Sequence, residues 1–156
     1  CLTDMVLESD TKLDWRPVFS GKGLTDLLGG LRGTTDYLDF AWRGGLEDID
    51  IICTLQQETA IASIGMGFIT NHRSGVVYPE SLTLYVDDEA PRTMTIRNAR
   101  GPREIMTEDF FFEVHAKVKK FRMVAKRFAR MPEWCTYHGT DKVFTMADKL
   151  MVVPEK

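Results

Sequence analysis

The sequence predicts an all-β fold, an antiparallel β-sandwich or jelly roll, and three observations carry that expectation. Apolar residues recur at a spacing of two in segment after segment, as in Leu82, Leu84 and Val86, which is the period of a strand with one buried face. Turn signals built on Gly, Pro and Asp punctuate the chain about every 8 to 12 residues, the rhythm of a sandwich or jelly roll of about six to eight strands. Helical spacing competes with strand spacing in one segment, residues 114 to 130.

Taken in order, residues 1 to 23 hold Trp15, Pro17 and Phe19 and suggest an opening strand that closes on SGKG. Pro17 donates no ladder hydrogen bond, which keeps this strand off the middle of a sheet. Residues 24 to 45, LTDLLGGLRGTTDYLDFAWRGG, combine glycines with Asp turn signals. Such a composition permits positive φ and tight reversals, so the segment reads as an ordered loop system at one end of the sandwich. Ile49, Ile51, Cys53 and Leu55 then share one parity, and AIASIGMGFI over 60 to 69 is β-branched with small residues between. These read as two strands joined at Gln57 to Thr59.

A loop, TNHRSGVVYP, ends at Pro79 before the strand SLTLYV, and Asp87 to Pro91 form a turn into a short strand carrying Met94 and Ile96. Gly101 and Pro102 break the chain again. Phe110, Phe112, Val114, Ala116 and Val118 share one face of a strand, and Phe121, Met123 and Ala125 repeat the pattern after Lys119 and Lys120. Val114, Val118, Phe121, Ala125 and Phe128 also fit spacings of three and four, but the sustained period of two favours strands. The loop RMPEWCTYHGTD leads to a closing strand, KVFTMADKLMVV.

The totals narrow the function classes. A chain of 156 residues with 44% hydrophobic and 28% charged residues fits one soluble domain over 1–156 with a core of its own. A net charge of −3 argues against a nucleic-acid partner. No apolar run approaches the roughly 18 residues of a transmembrane helix, and no signal peptide is present as given. Cys1, Cys53 and Cys135 lack zinc spacing. Cys53 reads as a small buried hydrophobe, and Cys1 is a candidate lipoprotein anchor on an exported protein that would be extracellular, periplasmic or held at the cell surface.

Motifs for catalysis are missing. There is no GxxxxGK[ST] and no GxSxG. His72, His115 and His138 carry no local triad signature. Asp87, Asp88 and Glu89 in a turn, and Glu108 with Asp109 before a strand, read as solvated charges rather than a glycosidase pair. The basic residues Lys117, Lys119, Lys120, Arg122, Lys126, Arg127 and Arg130 form a solvated sheet face, although such a stripe would suit an acidic glycan better than nucleic acid, since the interleaved aromatics have core parity. Loop aromatics point further. Trp42 with Arg43, Asn71, His72 and Arg73 with Tyr78, and Trp134 with Tyr137 and His138 set flat apolar faces beside planar donors. A pyranose needs both, a ring against its C–H face and donors for its hydroxyls. The competing reading is that Trp42 and Trp134 plug the ends of the sandwich.

At these residues the sequence resembles the discoidin-like modules, of coagulation factor five/eight type C, appended to bacterial family 20 glycoside hydrolases, the β-hexosaminidases. The carrying segments are LTD with GLRGTTDY, the Trp42–Arg43–Gly44–Gly45 run, DIDIICTLQQETAIASIGMGFI, Tyr78–Pro79 before SLTLYV, and Pro132–Glu133–Trp134 before a strand holding Ala147–Asp148. They cover roughly residues 18 to 153. The resemblance implies a galactose-binding-like jelly roll that binds sugar at its loop end and does no catalysis itself. Asp39, Trp42, Arg43, Asn71, His72, Arg73, Tyr78 and Trp134 are the expected ligand contacts. Family members hold a structural calcium between an early Asp loop and a late Glu. Here Asp26 matches the Asp, but Lys149 stands where the Glu is expected, and an ammonium repels or replaces a cation that wants six to eight oxygens. The expectation is therefore a Lys149–Asp26 contact and no cofactor. A carbohydrate is the expected partner, with a catalytic domain in the parent chain; an adhesion or protein-interaction module, or a small hydrolase, are the alternatives on this fold.

Overall fold

The computed structural model describes residues 5–8, 43–45, 48–71, 76–87, 89–96, 105–130 and 143–155. Every regular element among them is a strand: β1 (Met5–Glu8), β2 (Arg43–Gly45), β3 (Ile49–Asn71), β4 (Ser81–Val86), β5 (Arg92–Thr95), β6 (Ile105–Lys126) and β7 (Thr145–Pro154). All pairings between strands are antiparallel, in the order β2-β7-β3-β6-β4-β5, with β1 on β3. The helical reading of 114 to 130 does not hold, because β6 runs unbroken through that segment to Lys126.

β3 and β6 are the frame. At 23 and 22 residues they far exceed the usual strand of about 3 to 10, and they pair along their whole length. Two irregularities in the register break the ribbon. Thr54 faces Lys120 and Thr59 faces Val118, so residues 55 to 58 bulge opposite Lys119 alone; then Ile61 faces Ala116 and Ser63 faces Glu113. Each bulge adds residues to one strand and bends it. Parity changes with them: Ile49, Ile51, Cys53 and Leu55 are buried before the bulges, and Ile64, Met66 and Phe68 after them. On β6 the buried set passes from Phe112, Val114 and Val118 to Phe121, Met123 and Ala125. Where the sequence suggests two strands joined at Gln57 to Thr59, one strand carries on with Gln56, Gln57 and Glu58 exposed on its bulge.

The bent ribbon makes two layers from one hydrogen-bonded sheet. β1, β4 and β5 extend the layer formed by the first half of β3 and the second half of β6, and β7 with β2 extends the other. Both halves of β3 close on one buried cluster that includes Leu82 and Leu84 from β4 and Leu150 and Val152 from β7. Burying each such side chain stabilises the fold by about 1.5 to 3 kcal/mol.

Polar groups hold the bend. Lys119 Nζ donates to the carbonyls of Leu55 and Gln56, both at 2.6 Å, and so ties β6 to the bulge. The Asp87 carboxylate accepts from the amides of Lys119 and Lys120 at 3.3 and 3.1 Å, while its own amide donates to Lys120 O at 2.9 Å. Asp87 does so at φ 44°, a left-handed conformation that Asp tolerates better than most residues. Arg92 reaches across from β5 to donate to the carbonyl of Glu113 in the other layer.

Candidate functional site

Because the ribbon doubles back, both of its ends arrive at the same end of the sandwich. The amide of Arg127, just past β6, donates to the carboxylate of Asp48, just before β3, at 2.8 Å. Arg127 Nη1 donates to Phe128 O at 3.2 Å and Val143 O at 3.4 Å. Phe128 packs on Val77 and Val143, and Val77 N donates to Phe144 O at 3.2 Å beside a bridge between Val76 and Phe144. Phe144 and Val76 pack in turn on Ile69 near the far end of β3. Glu80 N bonds Lys126 O at 2.7 Å, and Ile96 N bonds Glu80 O at 3.2 Å. The flanks of segments 72–75, 97–104 and 131–142 therefore all stand at this one end, as a sandwich that presents its connections as a binding surface requires.

Of the residues expected to bind ligand, Asp39, Trp42, His72, Arg73 and Trp134 lie outside the described residues, as does Asp26. Arg43 is placed by its backbone on β2, opposite Ala147, which also faces Phe68 of β3. Asn71 is the last residue of β3, opposite Ile105. Tyr78 is corrected: it is 1% exposed and stands edge-on to Phe110 at 5.3 Å. The bridge at Val76 carries the chain inward just before it, so its ring supports the loop end from inside the core and has no face for a ligand. Lys149 sits half-buried on β7 opposite Gly67.

His115 is the one histidine among the described residues, and two carboxylates hold it. Its Nδ1 meets Glu155 Oε1 at 2.6 Å and its Nε2 meets Glu113 Oε2 at 2.7 Å. The hydrogen bonds to Glu155 and Glu113 raise its pKa above the ordinary value of 6.5, because both carboxylates favour the protonated ring. With φ 48° it occupies the second bulge and ties the end of β7 to β6. No group of three or more His, Cys, Asp or Glu among the described residues is arranged to hold a metal ion.

A second feature lies on the outer face of the layer formed by β3, β6 and β4, near the bend. Ile52, Tyr85, Asp87, Lys120, Phe121 and Arg122 line a concavity of about 440 Å³. Tyr85 and Arg122 are register partners, and the Arg122 guanidinium lies 5.4 Å from the centre of the Tyr85 ring. Asp50 orients it with two bonds, Nε to Oδ1 at 2.8 Å and Nη2 to Oδ2 at 2.5 Å, and these raise the guanidinium pKa further. Lys120 stands exposed alongside. The basic stripe is thus not uniform: Lys119 closes a bulge, Arg122 pairs with Asp50, Lys126 sits 3.8 Å from Glu80, and Lys120 has no ion partner among the described residues. The sequence signal for this concavity is only the stripe itself, because its other walls come from distant strands.

No protein-family model matches the sequence, and no match is found among curated proteins. Solved structures share its fold. The chain is similar to GH31 CBM32-2 bound to GalNAc, with a TM-score of 0.56, 12% identity and 97% of each chain covered. It is similar to CpGH89CBM32-4 of Clostridium perfringens in complex with GlcNAc-α-1,4-galactose, with a TM-score of 0.52, 10% identity, and 97% of this chain and 90% of that one covered. The family 32 module of C. perfringens NanJ in complex with galactose gives 0.52 and 9% over 96% of this chain and 93% of that one. At such identities the likeness is one of fold, and the chain is an antiparallel, galactose-binding-like β-sandwich of the kind found in family 32 carbohydrate-binding modules.

Proposed function

We propose that this chain is a noncatalytic carbohydrate-binding module that takes a sugar at the loop end of the sandwich. The observation that carries this reading is the gathering of the flanks of 72–75, 97–104 and 131–142 at one end of a fold shared, over nearly the whole chain, with modules solved in complex with galactose, GalNAc and GlcNAc-α-1,4-galactose. Asp39, Trp42, Arg43, Asn71, His72, Arg73 and Trp134 are the residues assigned to the ligand, the tryptophans as stacking faces and the others as hydroxyl partners. The module serves an exported glycosidase of the β-hexosaminidase type and raises the enzyme's local concentration on its glycan. A Lys149–Asp26 contact takes the place of calcium, since an ammonium on β7 supplies a cation where the metal would need an anionic oxygen.

A glycan array tests the reading. Binding to a terminal galactose or hexosamine that is lost in Trp42→Ala and His72→Ala proteins supports it, and binding to no glycan sinks it. Turnover of an aryl N-acetylhexosaminide by this chain alone overturns the noncatalytic assignment. One tightly bound calcium per chain by metal analysis overturns the lysine substitution.

A further inference from the structure

We infer that the concavity on the outer sheet face is a second ligand site, separate from the loop end, and that it takes an acidic saccharide residue with its carboxylate on Lys120 and Arg122 and its ring against Tyr85. It lies well away from the loop end. From Lys126, which bonds Glu80 there, to Lys120 is six residues of β6, about 20 Å at the rise of a strand.

Four features define the chemistry. Tyr85 is 37% exposed, one of two large hydrophobic side chains so exposed among the described residues, and its ring supplies an apolar platform. Arg122 has five N–H donors and spends two on Asp50, so three remain in a guanidinium that Asp50 already holds in place. Lys120 adds an ammonium with no ion partner among the described residues. Asp87 is anchored by the amides of Lys119 and Lys120, and each of its oxygens keeps a lone pair for a sugar hydroxyl. A concavity of about 440 Å³ falls in the size range of small-ligand sites, about 300 to 1,000 Å³. A neutral sugar would leave Lys120 unused, and an apolar ligand would strip water from both cations and from Asp87 for no compensating bond. A carboxylate-bearing pyranose satisfies all of them. The chain's overall charge of −3 disfavours an extended polyanion such as nucleic acid.

The test is titration calorimetry with trigalacturonate, a neutral galactose trisaccharide and a single-stranded oligonucleotide against the intact chain. Trigalacturonate is expected to bind, about tenfold or more weaker in Lys120→Ala and in Tyr85→Ala, within about threefold of wild type in Tyr85→Phe, and progressively weaker with added salt. Loop-end glycan binding is expected to be unchanged in Lys120→Ala and Tyr85→Ala, both checked for native circular dichroism. Absence of trigalacturonate binding, equal affinity in Lys120→Ala, loss of it in His72→Ala instead, or an oligonucleotide bound as tightly through the same residues would each overturn the inference. Failure of the glycan array leaves this result intact, because the two sites share no residue.

Discussion

Gly65→Ala probes the packing of the outer face directly. Gly65 stands on β3 between Phe111 of β6 and Met151 of β7. A Cβ there would lie 2.5 and 2.8 Å from Cδ1 and Cε1 of Phe111 and 2.7 Å from the carbonyl oxygen of Phe110, all inside the 3.0 Å that real Cβ atoms respect. Phe111 is 39% exposed, so its ring can turn away and relieve two of the three clashes. The carbonyl belongs to the β3–β6 ladder and moves only if the sheet does. Overpacking of this kind costs about 1 to 3 kcal/mol, partly offset by the about 0.4 to 1 kcal/mol that alanine gains by restricting the unfolded chain. The expected net loss is about 1 to 2 kcal/mol. In urea denaturation with a slope near 2 kcal/mol/M, the midpoint should fall by about 0.5 to 1 M, and Tm by about 2 to 8 °C. Adding Phe111→Ala should recover only part of the deficit. A Gly65→Ala protein within about 0.5 kcal/mol of wild type, or full recovery in the double variant, refutes the argument that the backbone carbonyl is the fixed obstacle.

Three further outcomes follow from the polar groups and the core. His115 has its pKa raised above 6.5 by Glu155 and Glu113, so its contribution is complete below the unfolded value and fades as pH rises through the folded one; the Tm gap between wild type and His115→Gln should be wider near about pH 6 than near about pH 9, and an imidazole that titrates in NMR below its unfolded value contradicts this. Lys119→Met removes two bonds to bulge carbonyls and Asp87→Ala removes two from amides, each change expected to cost about 1 to 2 kcal/mol by chemical denaturation, with unchanged midpoints counting against the bend latch. The Cys53 thiol is pushed up to about 12 by burial, so in a Cys1→Ser/Cys135→Ser protein it should resist alkylation at about pH 8 until denaturant is added.

Strand character was legible wherever a strand shows one face to water. Leu82, Leu84 and Val86, and Phe112 through Val118, announced themselves by alternation. Legibility failed at the bulges. Gln56, Gln57 and Glu58 look like a turn because they are polar and exposed, yet the chain stays extended through them, with Lys119 bonded to the carbonyls of Leu55 and Gln56 and Asp87 to the amides opposite. Tyr78 misled for a related reason: a tyrosine beside Pro79 in a polar stretch reads as a surface aromatic, and only the bridge of Val76 to Phe144 and the edge of Phe110 put it inside.

By itself, then, the order of residues determined that this chain is a sandwich of antiparallel strands, because the period of two is a local property that each segment carries without its neighbours. Tertiary structure alone decided that 49–71 and 105–126 are two bent strands rather than four, that their ends and the flanks of the loops meet at one end, and that Tyr85, Arg122, Asp87 and Lys120 share a concavity. These depend on register between residues as far apart as Asp50 and Arg122, and a register is settled by summed pairing and burial across strands, a quantity no single segment contains.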